Sequence, residues 1–356
     1  MKGSIPFMKN GSVLIGPITT ENFGITSNIG SNELRAHIRS QRTRRYNRRK
    51  DATDLNRNFK QFIEQLFDVN ELNRLPEQYG GGRIFDTPIF GVAKGDDPIF
   101  LKYKDVVGPR HLTPVEMWVQ SGLPQNRDIA GQLLILSIIF PYVDRIREES
   151  KTAQKMPAEI YCVGRNFANA FMDDVLERTV AFFQKKGFQA TSGMRSPAFQ
   201  IIVNEDLLKI YSTWSERHTA FAAGLGTFSL HEGFISEIGC NIRIASVITD
   251  APLKVTPRKS DDPYTNCLYH STGKCKKCAQ RCPGDAISEA GHDKLKCYLY
   301  GQMIQEEMTG RLKDLLKPHL RYINGKEQWS YPVGCAFCQF DVPCMNKIPV
   351  KQKSYD

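Results

Sequence analysis

The stretch Cys275-Lys276-Lys277-Cys278-Ala279-Gln280-Arg281-Cys282-Pro283 decides how the last third of this chain folds. A loop this short can turn two or three thiolates toward one point, and any further ligand must come from elsewhere in the sequence. Other cysteines stand nearby. Cys267 precedes the stretch, Cys297 follows it, and Cys335, Cys338 and Cys344 lie in the tail. Cysteines clustered in this way indicate metal binding more than disulfide formation.

The spacing follows the bacterial ferredoxin run, in which the cysteine before proline reaches across to a second cluster. By that crossover, one 4Fe–4S cluster is expected on Cys267, Cys275, Cys278 and Cys344. The other is expected on Cys282, Cys297, Cys335 and Cys338. The competing reading is a zinc ribbon on the two Cys-x2-Cys pairs, Cys275/Cys278 and Cys335/Cys338. It leaves Cys267, Cys282, Cys297 and Cys344 without a role. Cys162 and Cys240 stand alone in apolar surroundings and read as small core residues.

Working outward, residues 1–90 read as a polar N-terminal extension, with an amphipathic helix near Asn58 to Leu72 and a turn at Gly80-Gly81-Gly82. Between Arg35 and Lys50 lie eight Lys or Arg residues and no acid. This run reads either as a solvated basic face or as a landing site for RNA or an acidic partner. The apolar run Leu133 to Phe140 is far shorter than the ~20 residues of a membrane span and reads as a buried strand. With no secretory signal evident, the protein is expected to be cytoplasmic.

The middle of the chain alternates. Ala158 to Val163 reads as a strand, Phe167 to Lys186 as a helix closed by Gly187, and Ala198 to Val203 and Ile242 to Thr249 as further strands. This predicts an α/β (α+β) core over 91–255, with helices packed on a sheet. A cysteine-bearing domain follows over 256–356, with a helix from Lys296 toward Leu316.

Further motifs precede the cysteines. They are Glu216-Arg217-His218, Gly224-Leu225-Gly226, His231 in Ser229-Leu230-His231-Glu232-Gly233, and Thr249-Asp250 at a strand end. Upstream lie Gly91-Val92-Ala93-Lys94-Gly95 and Val107-Gly108-Pro109-Arg110-His111. This succession resembles the epoxyqueuosine reductase and reductive dehalogenase superfamily, on the dehalogenase-like side. The resemblance implies a nitroreductase-like core binding cobalamin without its lower base, and a ferredoxin-like domain with two 4Fe–4S clusters that relay electrons to cobalt. It also implies cofactor contacts at Gly224, Leu225, Gly226, His231 and Asp250, and catalytic roles for His231 and for a tyrosine such as Tyr161 or Tyr211.

The chain departs from the pattern in three places. Seven residues, not two, separate Cys267 from Cys275, and Cys338 is followed by five residues and then Cys344. Where epoxyqueuosine reductases carry a proton-donating Asp, this chain has Asn166, in Gly164-Arg165-Asn166-Phe167. An amide has no acid pKa near working pH, so Asn166 reads as a substrate-orienting group or as a helix N-cap. Three functions remain open. One is a dehalogenase-like oxidoreductase acting on a small organic substrate, fed by an acidic donor such as ferredoxin or flavodoxin. The second is an epoxyqueuosine reductase acting on tRNA, and the third is an electron carrier or corrinoid-reducing partner without catalysis of its own.

Overall fold

The computed structural model describes residues 52–204 and 209–350. The basic run from Arg35 to Lys50 lies outside them. In chain order the helices are α1 (52–69), α2 (Ile99–Val106), α3 (Pro114–Gln120), α4 (Ile129–Gln132), α5 (Asp144–Lys151), α6 (Glu159–Gln184), α7 (Glu216–Ala222), α8 (Leu268–Thr272), α9 (Lys277–Gln280) and α10 (Lys294–Leu312). The strands are β1 (Ile89–Lys94), β2 (Leu134–Pro141), β3 (Ala190–Ser192), β4 (Ile201–Asn204), β5 (Lys209–Ser212), β6 (Gly226–Phe228), β7 (Phe234–Ser236), β8 (Ile242–Thr249), β9 (Ile287–Ser288), β10 (Gly291–His292), β11 (His319–Ile323) and β12 (Lys326–Ser330).

The central sheet runs β1-β2-β8-β3, and every pairing in it is antiparallel. Side chains alternate across a strand, and β2 uses both faces. Leu136, Ile138 and Phe140 enter the main core, while Ile135 and Ile139 enter two smaller clusters on the opposite side. This explains why β2 reads as an unbroken apolar run, since a strand covered on both sides has no polar face to show. Helix α6 lies against β3 and β8, and α7 packs on β1, β2 and β8. The strands expected over 133–140 and 242–249 are present. The expected strand at 198–203 is shorter and shifted, beginning at Ile201.

One expectation is corrected. Residues 158–163 are not a strand but the start of α6, which runs unbroken through Gly164 to Gln184. Ile160, Tyr161, Cys162 and Val163 are all buried because the first turns of the helix are surrounded. A short apolar run carries no periodicity that separates a buried strand from a buried helix turn. Asn166 accordingly lies inside α6 and is not an N-cap.

Helix α1 contributes Leu55, Phe59, Ile63, Leu66 and Phe67 to the main core. Phe59 stacks on Phe183, and Phe67 packs edge-on against Phe171. The described part of the expected N-terminal extension is therefore packed with α6. Beyond β8, Leu253, Cys267, Cys278, Ile287 and Ile304 belong to the same apolar cluster, so the cysteine-bearing segment shares a core with the sheet. A second sheet, β12-β11-β4-β5, joins the tail hairpin to the middle of the chain.

Asn73 is fully buried between α1 and the sheet. Its amide donates to the carbonyls of Phe67 (2.8 Å) and Phe85 (3.0 Å) and accepts from the Phe85 N–H (2.9 Å). Asn73→Ala strands buried backbone groups, each costing about 1–3 kcal/mol. Chemical denaturation is expected to show a loss of about 3 kcal/mol; a loss below about 1 kcal/mol would mean that this junction is held by apolar packing alone.

Candidate functional site

The eight cysteines of the last third form two groups of four. Cys267, at the N-cap of α8, lines one small cavity together with Cys275, Cys278 and Cys344. Burial pushes the Cys278 thiol up to about 12, and the neighbouring Cys344, Cys267 and Cys275 push the same way. In the second group, burial pushes Cys335 up to about 12, with Cys297 and Cys282 contributing. Cys338 is raised by burial and by Cys335, Cys297, Cys278 and Cys282. Desolvated thiols that crowd one another resist ionisation, and a set like this becomes stable as thiolates once cations join it.

Local structure sets each position. Cys278 lies in α9, and Cys282 follows it, accepting a bond from the Ala286 N–H at 3.4 Å. Cys297 sits in the first turn of α10, whose N-cap Asp293 accepts from the Lys296 N–H. Cys335 and Cys338 flank Ala336, which has φ 51°, at the start of a 3-10 turn. The Arg281 guanidinium ties α9 to the carbonyls of Phe340 and Ala153.

Helix α6 anchors the tail through its Cys162-Val163-Gly164-Arg165-Asn166 segment. Cys162 Sγ donates to the Gly334 carbonyl (3.8 Å) and Arg165 Nε to that of Val333 (3.3 Å). Asn166 binds the Lys317 backbone twice, donating to its carbonyl (3.0 Å) and accepting from its N–H (2.8 Å). With both ends of its amide committed, Asn166 holds structure together at this point.

A cavity of about 840 Å3 lies beside the second group, and Cys297 forms part of its wall. Tyr103, Phe221 and Phe228 give it apolar faces, while Arg217, Arg258 and Lys294 make it basic. Such a mixture of dry walls and few charged groups suits a small-molecule or cofactor site. Glu232, with φ 56°, also lines it. Burial would raise the Glu232 carboxyl, but His292, Lys294 and Arg217 hold it at about 2. Its ion pairs measure 3.5 Å to His292 and 3.4 Å to Lys294. Arg258 pairs with Asp97 at 2.5 Å.

His218 faces the cavity as a neutral imidazole. Burial, with Arg217 and His111 nearby, lowers it to about 3. Its Nδ1 shares a hydrogen with Ser215 Oγ at 2.7 Å, and the Tyr103 hydroxyl donates to its carbonyl at 2.8 Å. Tyr211 lines the same cavity, with its ring packed against the bare Cα of Gly108.

The other residues singled out from sequence are dispersed. Tyr161 is enclosed by the rings of Tyr142 and Phe340, and burial raises its phenol above the ordinary range. His231 lies in the wall of the first cysteine group, away from the large cavity. Gly224 has φ 72° just past α7, where a Cβ would meet the Pro257 carbonyl at 2.5 Å. At Gly226 a Cβ would meet the Ile235 carbonyl at 2.2 Å. These glycines admit neighbouring backbone. Leu225 fills the apolar clusters beside them. Asp250 accepts from the Gln189 N–H at 2.9 Å and so ties β8 to the start of β3. Sequence reading did not single out Tyr103, His218, Arg258 or His292 as cavity residues. Arg217 and His218 sit in a quoted motif, but nothing in its spacing says which side of α7 faces open space.

No family model matches the chain, and no curated protein does. Solved reductive dehalogenases and epoxyqueuosine reductases are similar to it. A reductive dehalogenase described with B12-dependent dehalogenation gives a TM-score of 0.37 at 17% identity, over 60% of this chain and 27% of that one. An epoxyqueuosine reductase solved with a modified tRNA stem loop gives 0.42 at 15%, over 80% of this chain and 65% of that one. The epoxyqueuosine reductase of Bacillus subtilis gives 0.38 at 17%, over 75% and 63%. The chain thus spans about a quarter of the dehalogenase and somewhat under two thirds of these two reductases.

Beneath the cavity, Glu216 is buried in the first turn of α7. Burial raises its carboxyl to about 8, despite hydrogen bonds with Ser246 and Thr219 that work the other way. The unfolded chain loses this proton near pH 4.5 and the folded chain keeps it to about 8. Stability therefore falls as pH rises through that window, by at most about 1.4 kcal/mol per unit. Glu216→Gln is expected to remove this contribution, so that its stability relative to the wild type improves from pH 5 to pH 8 in denaturant melts. Parallel profiles would show that Glu216 is ionised in the fold.

Proposed function

We propose that this chain is an iron–sulfur oxidoreductase that carries two 4Fe–4S clusters and delivers single electrons to a corrinoid in the cavity beside Cys297, for reductive cleavage of a small organic substrate. One cluster is assigned to Cys267, Cys275, Cys278 and Cys344, the other to Cys282, Cys297, Cys335 and Cys338. The observation that carries the reading is the sorting of eight thiols into two groups of four, with one member of the second group in the cavity wall. Four cysteine thiolates are the usual ligand set of such a cluster. A zinc ribbon is disfavoured, because Cys275/Cys278 and Cys335/Cys338 belong to different groups.

The donors around the cavity fit a large cofactor with polar edges. Arg217, Arg258 and Lys294 would hold its acceptor groups, and Tyr103, Phe221 and Phe228 would keep its faces dry. A bound corrinoid would supply a metal centre that takes single electrons and reduces a bond from carbon to a leaving group. The chain's own residues position the substrate, exclude water and supply the proton that the product needs. Tyr211 is assigned that proton, since the Tyr103 hydroxyl is committed to His218 and Tyr161 lies outside the cavity. On this reading 91–255 form the cofactor-binding part and 256–356 the relay. The protein works in the cytoplasm with an acidic electron donor.

Anaerobic reconstitution is expected to load about eight iron atoms per chain, the sum for two such clusters. Electron paramagnetic resonance should then show reduced clusters and, with added cobalamin, a base-off cobalt(II) signal that elutes with the protein. Clusters without retained cobalamin would make the chain an electron carrier. Turnover of an epoxyqueuosine-bearing stem loop, and not of small substrates, would move the assignment to tRNA.

Two substitutions test the assignments. Cys297→Ala should abolish the second cluster's signal and spare the first. Tyr211→Phe should lower turnover on the order of 100-fold, within the range for a lost general acid, while cobalamin stays bound. Unchanged turnover would remove Tyr211 from the reaction.

A further inference from the structure

Two cysteines remain outside the groups of four, and one of them touches a member of the first. Cys240 is buried, and its Sγ is set to donate to Cys344 Sγ at 3.7 Å. Backbone holds the pair together. The Cys240 N–H donates to the Cys344 carbonyl at 2.8 Å, and the Asn241 N–H donates to that of Met345 at 3.2 Å. At Gly239, with φ 86°, a Cβ would meet the Met345 carbonyl at 2.4 Å. The two segments approach as closely as backbones can, so Cys240 cannot move away from Cys344.

His231 completes the arrangement. One of its ring nitrogens lies within 4.8 Å of both sulfurs. The ring is 4% exposed, and its Nε2 has no hydrogen-bond partner among the described residues. A buried ring nitrogen without a partner is costly. A cluster-ligating thiolate is an acceptor that would satisfy it. Donors aimed at a ligand sulfur stabilise the more negative, reduced state of the cluster, which raises its potential.

We propose that Cys240 and His231 are positioning residues that donate hydrogen bonds to the Cys344 sulfur and raise the reduction potential of the cluster held by Cys267, Cys275, Cys278 and Cys344. This rests on the cluster reading above. It distinguishes the two clusters, because among the described residues no side chain is seen to donate to a sulfur of the second group. The leftover thiol there, Cys162, donates to the Gly334 carbonyl instead.

The test is a potentiometric titration, followed by electron paramagnetic resonance, of the full chain reconstituted with iron and sulfide. Wild type is compared with Cys240→Ala, Cys240→Ser and His231→Phe. At a fixed potential, the reduced-to-oxidised ratio of the first cluster should fall about threefold to tenfold in Cys240→Ala and in His231→Phe, tenfold being 59 mV for one electron. Cys240→Ser keeps a donor and should recover part of the ratio. The second cluster should not shift in any variant, which separates tuning from general damage.

An unchanged ratio with both clusters loaded overturns the proposal and leaves the cluster reading intact. Loss of the first cluster from Cys240→Ala but not from Cys344→Ala also overturns it, by making Cys240 the ligand. A wild-type chain that takes up one zinc ion in place of the first cluster overturns both, since His231, Cys240 and Cys344 would then form a separate metal site.

Discussion

The cysteine segment has little apolar core of its own, and the rest of the architecture follows from how that is solved. Its loops are short, and turns and half-exposed residues dominate it. What fixes them is a set of hydrogen bonds from elements formed far earlier in the sequence. Cys162, Arg165 and Asn166 hold the tail from α6. Residues 239–241 hold it from the entrance to β8. Each anchor joins residues separated by many others in sequence, so each carries a loop-closure cost that only a rigid partner can offset. The four-stranded sheet and α6 provide that rigidity, with aromatic rings interleaved between α1, α6 and β2.

The same logic accounts for what the sequence made legible. Strand β2 was visible because eight apolar residues ending in proline have few alternatives, and β8 because its β-branched run is flanked by polar residues. The cysteines were visible because ligand spacing is a local property. The start of α6 was not, since Ile160-Tyr161-Cys162-Val163 is too short to show a period. Nor was the job of Asn166, because a clamp on Lys317 is a property of two distant segments. The cavity residues come from α2, α7, the segment after β6, and the chain between β8 and α10. No window of sequence contains them, and only the fold brings Tyr103, His218 and Arg258 to one place.

Charge is handled differently in the two halves of the site. Around the cavity, buried acids and bases are matched. Glu232 is held ionised by its basic neighbours, and Asp97 meets Arg258. Beneath it, Glu216 is protonated by burial, and His218 and His111 are neutral for the same reason. The cavity therefore presents a fixed positive rim over a floor with little free charge, a distribution suited to a ligand with acceptor edges and an uncharged face. The cysteine groups are the opposite case, with thiols crowded in poor solvation and no cation among the described side chains able to neutralise all eight.

The interleaving of the two cysteine groups also bears on biogenesis. Each group draws members from before α10 and from after β12. Cys344 belongs with Cys267, Cys275 and Cys278, while Cys335 and Cys338 belong with Cys282 and Cys297. Neither set of four is complete while the ribosome is still translating the hairpin between them. Metal delivery to this chain is therefore an event after synthesis, and the two sites ripen together. A truncation that removes only the last dozen residues takes a ligand from one site, and one that ends at the hairpin takes ligands from both.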